Sequence, residues 1–184
     1  AVFTRLDVEQ YNARKDGQPF NMEGFMADAT GYKSTFMPYA EVADMYIAGH
    51  YWAEGSPFLF TREDMKAASW NVKVVADVSC DIDGPVACTL RPSTIAEPLY
   101  GYNPNTESEC AMDDPSSVTV MAVDNLPCEL PRDASHGFGK EMMAHVIPLL
   151  LDGDRDNMLT NATETTLQGA LAPKFAYLQD YIDQ

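Results

Sequence analysis

Three short apolar, β-branched runs constrain the fold of this chain more than any other feature: residues 43–49 (ADMYIAG), 72–79 (VKVVADVS) and 117–123 (SVTVMAV). Each has strand length and is bounded by turn residues. Between the first two lies Thr61-Arg62-Glu63-Asp64-Met65-Lys66-Ala67-Ala68, where Thr61 with Asp64 three residues on forms a variant capping box, so a helix is expected there. Strand, helix and strand joined by short loops make a βαβ unit, and such units build parallel sheets covered by helices. The expected class is α/β, a partial doubly wound parallel sheet with helices on both faces.

Residues 2–6 suit a short strand, Asn21 caps a helix running through Glu23, Phe25 and Met26, and a second short helix is expected before Pro38. Prolines at 85, 92, 98, 104 and 115 make residues 84–117 an irregular excursion, with a β-hairpin expected around Cys88-Thr89-Leu90 and Leu99-Tyr100-Gly101-Tyr102. Pro131 opens a helix to about residue 151, which Pro148 should kink or shorten. Leu167, Leu171, Phe175, Leu178 and Tyr181 recur at near-helical spacing, so a C-terminal amphipathic helix is expected over 163–182. A length of 184 residues suits one core. The expected division is residues 1–161 as the sheet domain and 162–184 as the terminal helix.

Charge narrows the partners. With 28 acidic against 12 basic side chains the formal net charge is −16, which repels phosphate backbones and anionic membranes, so neither nucleic acid nor membrane is expected. No apolar run approaches the ~20 residues of a bilayer span, and the N-terminus lacks a secretory pattern. Because the chain begins at Ala1, a processed product or a shortened chain is expected. Cys80, Cys88, Cys110 and Cys128 form no C-x-x-C pair and are expected as free thiols in a reducing cytoplasm. Their spacing to His50, His136 and His145 fits no zinc motif, and no metal is expected.

Ligands of open parallel sheets bind beyond the carboxyl ends of the strands. Three such ends are Gly49-His50-Tyr51, Ser79-Cys80-Asp81 and Asp124-Asn125-Leu126-Pro127. The second holds three carboxylates, Asp77, Asp81 and Asp83; one of them could orient a proton transfer or meet a substrate amine, or the group could be a solvated turn. A calcium loop is a weaker rival, since D-x-D-G here lacks the distal glutamate. His50 reads as a proton shuttle or a structural hydrogen-bonder, and His136 and His145 as packing or surface residues. Gly137-Phe138-Gly139 is no dinucleotide fingerprint, and the sequon at Asn161 carries little without a secretory signal.

Three stretches resemble one family. Ala76-Asp77-Val78-Ser79-Cys80-Asp81 resembles the V-x-D-V-S-x-D segment of saccharopine-forming lysine–ketoglutarate reductases and their saccharopine dehydrogenase relatives. The segment from Ala122-Val123-Asp124-Asn125-Leu126-Pro127 to Leu130-Pro131-Arg132-Asp133-Ala134-Ser135 resembles that family's A-V-D-N-L-P-x-x-L-P-R-x-A-S signature, and Ser93-Thr94-Ile95-Ala96-Glu97-Pro98 its T-T-I-x-x-P element. A more distant likeness is to alanine dehydrogenase and the transhydrogenase cofactor domain, whose L-x-T-R-E-x-L element is matched by Leu59-Phe60-Thr61-Arg62-Glu63-Asp64-Met65.

The resemblance implies a Rossmann-like nicotinamide-binding domain, with NAD or NADP as cofactor and an amino acid plus a 2-oxo acid as substrates. It places Asp81 on the family's active-site aspartate and Asn125 on its nicotinamide-side asparagine. It implies further that Gly49, His50, Tyr51, Ser79, Cys80, Val123, Asp124 and Leu126 lie along the dinucleotide. The terminal helix would then pack on the substrate domain of a parent enzyme, cytoplasmic or, in a eukaryote, mitochondrial, which could be a homo-oligomer. The chain departs from the pattern in lacking any G-x-G-x-x-G after a strand and the catalytic Lys and His of an earlier domain. Cofactor binding by this chain alone is therefore expected to be weak. A non-catalytic module that keeps the fold is the alternative.

Overall fold

The computed structural model describes residues 1–183; the chain divides into two compact units, Ala1–Glu129 and Leu130–Gln184. The division after Glu129 follows compactness, whereas sequence patterning suggested one after residue 161.

In the first unit, α1 (Val8–Tyr11), β1 (Asn12–Arg14), α2 (Met22–Ala27), β2 (Tyr32–Ser34) and α3 (Met37–Ala40) precede the main sheet. β1 and β2 pair antiparallel as a ribbon of their own. The Asn21 side chain caps α2 by accepting from Gly24 N at 2.5 Å, as its residue type suggested. The main sheet comprises β3 (Met45–Ala48), β4 (Val74–Asp77), β5 (Leu99–Asn103), β6 (Ser108–Cys110) and β7 (Val118–Met121), in the order β3-β4-β7-β5-β6. The three apolar runs supply β3, β4 and β7, which are parallel neighbours, so the chain is α/β and Rossmann-like as expected. The excursion returns β5 and β6 as an antiparallel edge, making the sheet mixed.

Register explains where the core lies. Tyr46, Val75, Val120 and Tyr100 are cross-strand partners in one row, and Val75, Val120 and Tyr100 are buried. Phe36, Ala40, Phe60, Met65 and Val86 join the same cluster, with the Phe36 and Phe60 rings stacked 5.8 Å apart. Each fully buried valine of this row contributes roughly 1.5–3 kcal/mol. The opposite row, Ile47, Ala76, Met121 and Leu99, is far more open: Ile47 is 62% exposed and Leu99 44%. The sheet's deepest packing is thus on the face of the Tyr46, Val75, Val120 and Tyr100 row.

Several local expectations change. Residues 2–6 form no strand; Val2 and Phe3 are fully exposed and pair with neither sheet. The helix before Pro38 instead contains it, starting at Met37 with the proline in its first turn, where no N–H is needed. The expected helix over 61–68 is only a 3₁₀ turn, Asp64–Lys66, although Thr61 and Asp64 do bond reciprocally (2.7 and 3.2 Å). The hairpin joins β5 to β6 rather than residues 88–90 to 99–102. Pro104 and left-handed Glu107 turn the chain, and Asn103 Oδ1 braces the turn by accepting from Asn105 N at 2.9 Å.

The second unit contains α4 (Pro131–Glu141), a π-helical turn Met142–Val146, α5 (Ile147–Asp152), α6 (Met158–Ala162), a 3₁₀ stretch Pro173–Leu178 and α7 (Gln179–Ile182). The π turn sits just before Pro148, whose missing N–H and ring would disturb the α-helical ladder one turn back; the Ile147 N–H bonds Met142 O instead. The C-terminal helical segment begins at Pro173, not at 163. Left-handed Gly169 (φ +84°) and the extended residue before Pro173 interrupt the earlier turns.

Candidate functional site

The three parallel strands end at one edge. Ala48 is the partner of Asp77, Ala76 is the partner of Met121, and Val78 N donates to Ala48 O at 2.9 Å just past the strands. Beyond this edge the segments 49–52, 78–84 and 122–126 leave side by side.

Asp77 organises the middle segment. It is fully buried, and its Oδ1 accepts from Ser79 N (3.1 Å), Ser79 Oγ (2.5 Å) and Cys80 N (3.1 Å), while Oδ2 accepts from Thr89 Oγ1 at 2.6 Å. A buried carboxylate needs this many donors to offset its lost hydration. The turn is tight: Cys80 and Asp83 both adopt left-handed φ of 54°, and Gly84 N donates to Asp81 O at 3.1 Å. A Cβ on Gly84 would lie 2.6 Å from Asp81 Cβ, so glycine is needed for the close approach. Cys80 Sγ donates to Ala122 O at 3.1 Å, joining this turn to the end of β7, and burial with nearby Asp77 raises its thiol pKa. Ser93 braces the β7 end in turn: its N–H donates to Ala122 O (2.8 Å) and its Oγ accepts from Ala122 N (3.0 Å).

A cavity of about 380 Å³ opens over the β3 and β4 ends, lined by Gly49, His50, Tyr51, Trp52, Val78, Ser79 and Asp81. Both ring nitrogens of His50 are buried without a hydrogen-bond partner among the described residues. Burial lowers its pKa from the ordinary 6.5, against the opposing pull of Asp77 and Asp81, so the imidazole is held neutral. Tyr11 meets the ring edge-on at 6.2 Å. Of the turn's carboxylates, Asp77 is saturated and Asp83 pairs with Arg62 at 3.1 Å. That leaves Asp81 as the one in this turn with no side-chain partner among the described residues. No lysine or arginine lines the cavity.

The structure therefore brings together Gly49, His50, Tyr51, Ser79 and Asp81. Cys80 lies under the turn, Val123 is buried (2% exposed), Leu126 is half-buried, and Asp124 and Asn125 are exposed beside this edge without lining the cavity. Trp52 and Val78 line it and were missed, although both adjoin named strand ends. Its indole donates to Ser56 O at 3.2 Å, which fixes the Trp52 ring. His50 is not the structural hydrogen-bonder that a histidine after a strand suggests. His136 and His145 are exposed, His145 lying 3.4 Å from Glu141. The four cysteines are unpaired, and the described residues contain no metal-ligating cluster and no helix long and apolar enough to cross a membrane.

No family model matches the chain. It is 24% identical to mouse mitochondrial alpha-aminoadipic semialdehyde synthase, the match covering 72% of this chain and 17% of that protein. It is 26% identical to the Arabidopsis thaliana alpha-aminoadipic semialdehyde synthase, over 75% of this chain and 13% of that protein. A 28% match to the Schizosaccharomyces pombe saccharopine dehydrogenase (NAD⁺, L-lysine-forming) covers 61% of this chain and 30% of that one. The chain thus spans less than a third of each of these curated relatives. Its homologues, at low identity over about 70% of its length, are the alpha-aminoadipic semialdehyde synthases and the saccharopine dehydrogenases.

Proposed function

We propose that this chain forms the nicotinamide side of a Rossmann-like domain in a saccharopine-type oxidoreductase. The enzyme would pass hydride between a nicotinamide dinucleotide and the C–N bond joining an amino acid to a 2-oxo acid. The observation that supports this most is the cavity at the carboxyl ends of parallel β3 and β4, with Asp81 at its rim and His50 unsatisfied in its wall.

The donor set fits one part of such a cofactor and not another. A neutral imidazole and an indole suit a flat carboxamide-bearing ring and its ribose, whereas no cationic side chain or glycine-rich helix start is present to hold a pyrophosphate. Gly49, His50, Tyr51 and Ser79 would line the ring's side. Cys80 and Val123 would set the spacing of the two strand ends, and Asp124, Asn125 and Leu126 would hold the ribose or carboxamide. The cofactor, when bound, supplies hydride exchange. Asp81 would orient the substrate amine or steady a cationic nitrogen, electrostatic help typically worth about 10²–10³ in rate. Trp52 and Val78 exclude water from one wall. The remainder of a larger enzyme would supply the pyrophosphate grip, the substrate domain and the proton-transfer groups.

Backbone NMR of the chain titrated with NADH and NADPH tests this. The expected result is a weak, millimolar-range association with shifts at Gly49, His50, Tyr51, Ser79, Cys80 and Asn125. Shifts confined to other regions would refute the placement, and a low-micromolar dissociation constant would refute the division of labour.

A further inference from the structure

We infer that the strand-end cavity discriminates by charge, taking a planar organic cation, the oxidised nicotinamide ring, in preference to a neutral ring of the same shape. This rests on the proposed function for the identity of the ring, and deepens it by specifying the redox state that the cavity favours.

Three features carry the inference. The first is the one-sided electrostatics of the lining: Asp81 contributes a carboxylate and no lysine or arginine contributes a balancing charge. Its neighbours cannot neutralise it, because Arg62 is committed to Asp83 at 3.1 Å and Glu107 at 3.7 Å. Asp77 adds a second carboxylate beneath the turn. The second feature is His50. Burial holds its imidazole neutral, so it does not offset Asp81. Its two ring nitrogens are buried and unpartnered among the described residues, so the imidazole lends the wall no charge and no exposed donor. The third is Trp52, a half-buried indole fixed through its N–H to Ser56 O at 3.2 Å, whose face favours a cation over a neutral ring.

A single carboxylate a few ångströms away in a solvent-open cavity yields a preference of about fivefold, and more where the ring excludes water. The oxidised ring carries a positive charge and the reduced ring does not, so the cavity would stabilise the product side of a reduction and the reactant side of an oxidation.

The probes are 1-methylnicotinamide, a cation, and nicotinamide, its neutral counterpart, titrated separately into the intact 184-residue chain by backbone NMR. An aliphatic ammonium, n-butylamine, tests the other source of positive nitrogen. The expected result is saturation by 1-methylnicotinamide at about fivefold lower concentration than by nicotinamide or n-butylamine, with shifts at Gly49, His50, Ser79 and Asp81. Asp81→Asn should bring the two nicotinamides level; because the Asp81 carboxylate bonds no described residue, this change leaves the turn's hydrogen bonds intact. Equal affinities in the unaltered chain, or tighter binding of n-butylamine, would overturn the proposal. So would a preference that survives Asp81→Asn. A cation preference seen together with no NADH or NADPH shifts at this edge would instead refute the functional reading while leaving this one standing.

Discussion

Replacing Asp77 by alanine should be among the most damaging single changes in the first unit, and the structure sets its size. The carboxylate is fully buried and receives four hydrogen bonds, from Ser79 N, Ser79 Oγ, Cys80 N and Thr89 Oγ1. Hydrogen bonds to a charged acceptor are worth about 1.5–3 kcal/mol, but water can reach the half-buried Ser79 and Cys80 donors once the carboxylate is gone. Thr89, 1% exposed, has no such recourse, and its orphaned hydroxyl alone costs about 1–3 kcal/mol. Together these give about 3–5 kcal/mol for Asp77→Ala, in line with removing one partner from a buried charged network. Asp77→Asn keeps an oxygen for the three Oδ1 donors, and the Thr89 hydroxyl can rotate to accept from the new amide. It should cost about 1–2 kcal/mol, a loss of charge assistance only. Urea unfolding followed by tryptophan fluorescence reads this directly, since both tryptophans, Trp52 and Trp70, lie in the first unit. If the asparagine variant proves as destabilised as the alanine one, or alanine costs less than about 1 kcal/mol, then the carboxylate does not hold this turn together.

Three further outcomes are expected. Because burial lowers the His50 pKa below its ordinary 6.5, the unfolded chain takes up that proton first. The His50 contribution to stability is therefore complete above pH 6.5 and declines as pH falls below it; urea midpoints from about pH 7 to 5 should drop more steeply in the unaltered chain than in His50→Gln, and parallel slopes would contradict this. Gly84→Ala, whose methyl would overlap Asp81, should cost about 1–3 kcal/mol and shift the amide resonances of Asp81 and Ser79; an unchanged spectrum would show that the turn yields freely. Thiol titration should count four in denatured, unreduced protein, while in the folded chain exposed Cys128 reacts first and Cys88 last, since burial pushes the Cys88 thiol well above its usual range; a total of two would mean a disulfide.

The parallel heart of the fold was legible because β-branched runs at strand length, spaced for crossovers, admit few other arrangements; β3, β4 and β7 fall inside the three runs. The excursion was legible as irregular but not in its pairing, because β5 pairs with β6 across its own turn and on its other side with β7, a strand that comes after the excursion. The residues from 61 to 68 carry a helix's cap and yet close as a single 3₁₀ turn, so the cap marks a start and says nothing of length. At the site, strand-end placement pointed to Gly49, His50, Tyr51, Ser79 and Asp81. The strand's end and the family resemblance together set Asp81 apart from Asp77, four residues earlier. Side-chain burial supplies the physical reason: Asp77 is fully buried and saturated, while Asp81 has no side-chain partner among the described residues. Trp52 and Val78 carried no chemical signal beyond adjacency.

The two borders of the main sheet differ in how they meet other chains. At one, β6 is three residues long and polar, and Arg91 clasps Glu109 there at 2.6 Å, a guarded border that offers an incoming strand little to extend. At the other, β3 is the terminal strand and shows Met45 and Ile47, 53% and 62% exposed. Among the described residues no strand pairs with the outer side of β3, and an edge strand flanked by uncovered apolar side chains is in general the more open to strand addition. Of the two borders, β3 is therefore the one whose composition would better suit an added strand. The cavity opens at the end of that same strand, so a strand added at β3 would border the mouth of the site.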